Sequence, residues 1–258
     1  MEQGEIRRID VNADLGEGYG PWLMGDDAAM LDIVTSANVA CGGHAGDPET
    51  MYHIMTLARE RGVVVGAHPS YPDKEGFGRR RLPFAPAEIE RFVAAQIGAL
   101  VAVGALAGHR VSYVKPHGAL ANVATEDRAV AEAILRAVRA VDGALAVLAI
   151  SGTVLEAAAR DAGMAVFSEI YADRGYTPEG NLVPRTRAGA MIEDEHAAVA
   201  RLQHFMESGV MPTVGGDPVP LVAHSVCVHG DSAHAVAMAR AIVAAFRARG
   251  AEIASFLG

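Results

Sequence analysis

The stretch "SANVACGGHAGDPETM" (residues 36–51) decides the fold. Ala37, Val39 and Cys41 alternate with Asn38 and Ala40, the pattern of a short buried strand. Gly42 and Gly43 follow, then His44, and Asp47-Pro48 supplies the cap and first residue of a helix that carries Met51, Ile54, Met55 and Ala58 at i, i+3, i+4 and i+7. One strand, one polar turn and one amphipathic helix make a β/α unit.

The same unit recurs along the chain. Further strands are expected at 8–14, 63–70, 112–118, 144–150, 165–173 and 225–231, mostly short and rich in Val and Ile, as strands covered on both faces should be. Helices are expected after Pro86 (Ile89, Phe92, Val93, Ile97, Leu100), after Thr125 (Val130, Ile134, Leu135, Val138), and around Val154, Val199 and Val236. Seven such pairs imply a closed or nearly closed parallel barrel, with an open doubly wound sheet as the alternative. No linker, repeat or low-complexity run divides the 258 residues, so one domain spanning 1–258 is expected. The long non-helical stretches 69–86 and 174–191 read as binding loops or lids.

Composition restricts the function classes. With 22 Lys and Arg against 31 Asp and Glu, the net charge of −9 disfavours nucleic acid as the main partner. "GRRRL" (78–82), the one dense cationic run, reads as a solvated loop edge. The first residues lack the apolar core of a signal peptide and no apolar run approaches the ~20 residues of a membrane span, so a cytoplasmic protein is expected. Cys41 and Cys227 read as buried reduced thiols.

Polar residues gather at the expected carboxyl ends of the strands: Asp10, Asn12 and Asp14, then His44, His68, Lys115 and His117, Glu169 and Asp173, and His229 and Asp231. In a parallel barrel these ends share one rim, where active sites lie. His53, His196, His204, His234, His109 and His224 fall in helical or turn segments and read as structural. Neither HxH nor HExxH occurs, so metal ligands would have to come from different strands. There is no GxxxxGK[ST] loop and no GxGxxG after a strand, which argues against a standard phosphate cradle.

Six segments in order, "DVNADLGEGYG" (10–20), "SANVACGGHAGDP" (36–48), "GAHPSYPDKEGFGRR" (66–80), "VKPHGAL" (114–120), "SEIYADRGYTPEGNLVPR" (168–185) and "VHGD" (228–231), resemble the LamB/YcsF family along essentially the whole chain. The resemblance implies a distorted, TIM-like seven-stranded β/α barrel related to polysaccharide deacetylases. It also implies one subunit of an ATP-dependent 5-oxoprolinase, which opens 5-oxoproline to L-glutamate together with the subunits PxpB and PxpC. The sequence departs from the family pattern at Gly43, where an aromatic is usual, and at Ala121, where a tyrosine is usual; either change should open the rim.

On that reading Asp14 or Asp10 serves as general base, His44 or His117 as proton donor, and Asn12 as oxyanion stabiliser. Lys115, Arg174, His68, Glu169, His229 and Asp231 are the candidate substrate-binding residues. ATP would be bound mainly by the partner subunits. Two alternatives are a metal-dependent deacetylase or amidase, with Asp10 or Asp14 and two rim histidines as ligands, and a non-catalytic lactam-binding subunit.

Overall fold

Along β1 (Arg8–Leu15), Ile9, Val11, Ala13 and Leu15 point outward into the main hydrophobic core, while Asp10, Asn12 and Asp14 point inward. This alternation is that of a barrel strand whose outer face packs on helices and whose inner face is polar. The computed structural model describes residues 8–228 and 235–257.

The chain continues through α1 (Asp27–Leu31), β2 (Ser36–Ala40), α2 (Pro48–Arg61), β3 (Val64–His68), α3 (Pro86–Ala107), β4 (Val111–Val114), α4 (Gly118–Ala124), α5 (Arg128–Val141), β5 (Ala146–Ile150), α6 (Val154–Asp161) and β6 (Val166–Tyr171). It ends with α7 (Glu195–Ser208), β7 (Val210–Met211), β8 (Val219–Pro220), β9 (Ser225–Val228), α8 (Ala235–Ala248) and β10 (Glu252–Ile253). Strands β1, β2, β3, β4, β5, β6 and β9 pair in parallel in that order, and β9 pairs back onto β1, so the seven-stranded barrel is closed. The open-sheet alternative is thereby excluded.

Helix signals in the sequence correspond to real caps. Asp47 accepts from the backbone N–H groups of Glu49 and Thr50 at 3.0 Å each, with Pro48 at the first helical position. The helix expected after Thr125 is α5, which buries Val130, Ile134, Leu135 and Val138 and is capped by Asp127. Helix α3, 22 residues long, is apolar enough by length and composition to cross a membrane, contrary to the sequence expectation. It packs instead between α2 and α5, burying Ile89, Val93, Ile97, Leu100 and Ala107.

Inside the barrel the bottom is closed by aromatic rings. Tyr113 packs edge-on against Phe256 at 5.1 Å, and Phe256 lies 4.8 Å from Phe167. Gly66 makes room for this plug: a Cβ there would stand 2.2 Å from the Tyr113 ring. The Tyr113 hydroxyl then donates to Asn38 Oδ1 at 2.7 Å, the start of a polar interior that rises to the opposite end.

Candidate active site

The inward residues of β1 lie at three depths. Asp10, opposite Ser225 in the register, is fully enclosed near the start of the strand and accepts hydrogen bonds from Thr35 and Ser36 at 2.6 Å each and from Ser225. Burial pushes its carboxyl up to about 6, against the pull of those hydroxyls. One layer higher, Asn12 donates to Ser225 Oγ at 2.6 Å, and its Oδ1 accepts from Asn38 at 2.7 Å and Lys115 at 3.2 Å. Only Asp14 reaches the open end. The i, i+2 spacing correctly puts all three on one face but says nothing of depth, so Asp10 and Asn12 belong to the barrel interior and not to the rim.

Lys115 is likewise interior. Its Nζ lies 3.1 Å from Asp14, 3.0 Å from Glu169 and 3.0 Å from Cys227 Sγ, with 1 % of its surface exposed. Burial opposes the ammonium, but Asp14, Cys227 and Glu169 outweigh it and hold the group well above the usual lysine range. Lys115 and Glu169, expected to touch substrate, therefore face Asp14 and each other; Tyr171 also donates to Glu169 at 3.1 Å. Both cysteines are buried free thiols.

Above this network lies a cavity of about 470 Å³ at the carboxyl ends of the strands. Asp14 forms its floor, His68, His117 and Tyr171 its wall, and Arg79, Arg174 and Arg185 its border. Ala121 also lines it. Arg174 is fixed by donating from Nε to the Ala190 carbonyl at 3.1 Å and from Nη2 to the Val183 carbonyl at 2.7 Å, which ties it to the long 174–191 loop. Of the "GRRRL" run, Arg80 pairs with Asp73 while Arg79 borders the cavity, so the solvated reading holds for only part of it.

His44 does not line that cavity. Its ring stacks on His117 at 3.7 Å and 4°, with Nε2 2.9 Å from Glu17 Oε1 and Nδ1 3.1 Å from Ser70 Oγ. Burial, followed by the proximity of other histidines, keeps both His44 and His117 well below the usual imidazole range. On its far side His44 faces a second cavity of about 220 Å³ with Glu17, Tyr19, Trp22 and Lys74. Phe77 closes over the stacked pair from a left-handed backbone conformation (φ 53°), and its carbonyl accepts from His117 Nε2 at 3.0 Å. Gly78 is required beside it, since a Cβ there would come within 2.9 Å of both His44 and His117.

Gly43 does not loosen the rim as expected. The space a Cβ would enter is held by Gln96, whose amide accepts from the Ser70 N–H at 3.0 Å and donates to the Ser70 carbonyl at 2.8 Å. His229 and Asp231 lie outside the described residues. Glu17, Ser70, Phe77 and Arg79 were missed as site residues: they sit in loops, where strand spacing carries no information, although each falls inside a segment that resembles the family.

The LamB/YcsF family model matches residues 9–258. A relative from Gluconobacter oxydans, named as the A subunit of 5-oxoprolinase, is 52 % identical over 95 % of this chain and 96 % of its own. Another of that name from Azorhizobium caulinodans is 50 % identical over 96 % and 98 %. The crystal structure of the lactam utilization protein from Thermus thermophilus superposes with a TM-score of 0.90 at 40 % identity, covering 96 % of this chain and 99 % of the other.

Proposed function

The chain belongs to the LamB/YcsF family, and from that premise we propose that it is the A subunit of an ATP-dependent 5-oxoprolinase. The complex, completed by PxpB and PxpC in the cytoplasm, opens 5-oxoproline to L-glutamate at the expense of ATP. The observation that carries this reading is the similarity, over nearly the full length of both partners, to relatives of that name. The cavity supports it.

An unstrained lactam is a stable amide, and its carbonyl needs activation before water will add at neutral pH. ATP provides this if the lactam oxygen attacks the γ-phosphorus, expelling ADP and leaving a phosphorylated imidate whose ring carbon is a good electrophile; addition of water and cleavage of the C–N bond then give a γ-glutamyl phosphate, and a second water releases phosphate and L-glutamate. The sequence has no phosphate-cradling loop of a standard type, so the partner subunits are assigned the nucleotide and this barrel the activated ring.

Asp14 is assigned the proton of the attacking water, an assignment supported by its being the one of the three inward carboxylate and amide groups of β1 that borders the cavity. Lys115 pairs with it from below at 3.1 Å. Arg79, Arg174 and Arg185 offer guanidinium groups to the substrate carboxylate and the phosphoryl group. His117 lines the wall beside Asp14, but its Nε2–H is already given to the Phe77 carbonyl, and His44 bears on the cavity only through the stacked ring.

Arg79→Ala tests the assignment of the cavity, because the side chain is exposed and its removal spares the interior. Glutamate formation by the reconstituted complex is expected to show a KM for 5-oxoproline raised roughly tenfold or more, the loss of one charge-assisted contact of about 1.5–3 kcal/mol. An unchanged KM and kcat would remove Arg79 from the site.

A further inference from the structure

Hydrogen-bond accounting at three histidines leaves lone pairs facing one another. His68 Nδ1 lies 2.7 Å from the Lys115 carbonyl, and His117 Nε2 lies 3.0 Å from the Phe77 carbonyl. A carbonyl only accepts, so both nitrogens carry hydrogen. His44 Nδ1 faces Ser70 Oγ, whose own hydrogen goes to the Tyr71 carbonyl at 2.7 Å, so that nitrogen is also a donor.

In neutral rings the remaining nitrogens, His68 Nε2, His117 Nδ1 and His44 Nε2, are therefore bare acceptors. Together with a carboxylate oxygen of Glu17 they all lie within 4.8 Å of one another. His68 Nε2 and His117 Nδ1 are 3.0 Å apart, His44 Nε2 and Glu17 Oε1 2.9 Å, and His117 Nδ1 and Glu17 Oε1 3.7 Å. Acceptors this close repel unless protons or a metal ion stand among them, and Asp14 Oδ2, 3.4 Å from His68 Nε2, adds a further acceptor at the edge of the cluster. A tetrahedral ion with bonds of about 2.0–2.1 Å has ligand-to-ligand edges of about 3.4 Å, which the three separations bracket.

We propose that Glu17, His44, His68 and His117 form a binding site for one divalent transition-metal ion of the zinc class. Three imidazoles and one carboxylate favour such an ion over calcium or magnesium, which prefer all-oxygen shells. Each outer ring nitrogen is already tied to a carbonyl or hydroxyl, the arrangement that fixes tautomer and orientation in metal-bound histidines. The ligands come from the ends of four successive strands, β1 to β4, which is why no local motif announces them. Because the His44 and His117 rings are 4° from parallel, one of them tilts when both coordinate.

This site stands independently of the oxoprolinase reading, and its test is binding to the isolated chain. Chelator-dialysed protein is titrated with Zn²⁺ by calorimetry and with Co²⁺ by visible absorption, while circular dichroism follows the fold. The expected result is one ion per chain, a cobalt spectrum of a four- or five-coordinate site, and binding weakened roughly 100-fold or more by His68→Ala and by Glu17→Gln. His53→Ala, on the exposed face of α2, leaves it unchanged. A wild-type chain that binds neither ion stoichiometrically, as it would if protons closed the cluster, overturns the proposal, as do a six-coordinate cobalt spectrum or folded variants with wild-type affinity. The wild-type titrations decide even if a variant does not fold.

Discussion

Asp14 both borders the cavity and sits 3.1 Å from a buried ammonium. Asp14→Asn is accordingly expected to lower glutamate formation by about 10²- to 10⁴-fold, the usual cost of losing a general base. A rim carboxylate seen only in the sequence would leave stability untouched when made neutral. Here the change also takes one of two carboxylates from Lys115, so thermal or denaturant unfolding should show a loss of about 1–3 kcal/mol, limited because Glu169 remains 3.0 Å from the amine. Near-normal turnover would move the base elsewhere, and an unchanged unfolding midpoint would deny the coupling to Lys115. Asp10 makes a different prediction. Its folded carboxyl titrates at about 6 against an ordinary 3.8, because burial disfavours the anion. The folded state then binds the proton more tightly than the unfolded chain, so this group's contribution is greatest below about pH 4 and disappears as pH rises through 6. Relative to Asp10→Asn, the wild type should gain about 1 kcal/mol between pH 7.5 and pH 5 in paired unfolding curves. A difference that does not vary with pH would contradict it. The sequence told which residues share an inward face; depth along the barrel separates Asp14 from Asp10, and that emerges only once β1 is paired with β2 and β9.

At the scale of elements, strands and long helices were legible because apolar periodicity and Asp-Pro or Asp caps act locally. The short pieces were not: α1, α4 and the β7–β8 hairpin are too brief to show a period. Loops were legible as loops but not as walls, since the placing of Phe77 and Arg79 depends on Gly78 passing close to two histidines. The loop after β2 shows how packing can replace a residue type. With Gln96 from α3 filling the space beside Gly43, Gly43→Ala would set a Cβ 2.2 Å from the Gln96 amide and 2.7 Å from Ser70 Oγ. Because that amide is held by two hydrogen bonds to Ser70, it cannot move cheaply, and a destabilisation of about 1–3 kcal/mol is expected. The double variant Gly43→Ala/Gln96→Ala should be less destabilised than the sum of the two single changes, as a double-mutant cycle would read. Strict additivity would show that the two positions do not share the space.

For the whole molecule, closure of the barrel by β9 onto β1 makes the site possible, because it brings side chains from strands far apart in sequence to one end. That convergence followed from counting β/α units; the division between a buried charge network, a cavity bordered by arginines and a histidine cluster that shares His68 and His117 with the cavity wall did not, since it depends on which inward residues face water. In the function proposed for it, this chain performs ring opening and depends on its partners for ATP. The most direct measurement is L-glutamate formation from 5-oxoproline and ATP by the purified proteins, with this chain present, omitted, or alone. Sustained turnover is predicted only when this chain and its partners are combined, with no 5-oxoproline-dependent ATP hydrolysis by the chain alone; undiminished glutamate formation by the partners without it, or complete turnover by the isolated chain, would contradict that division of labour.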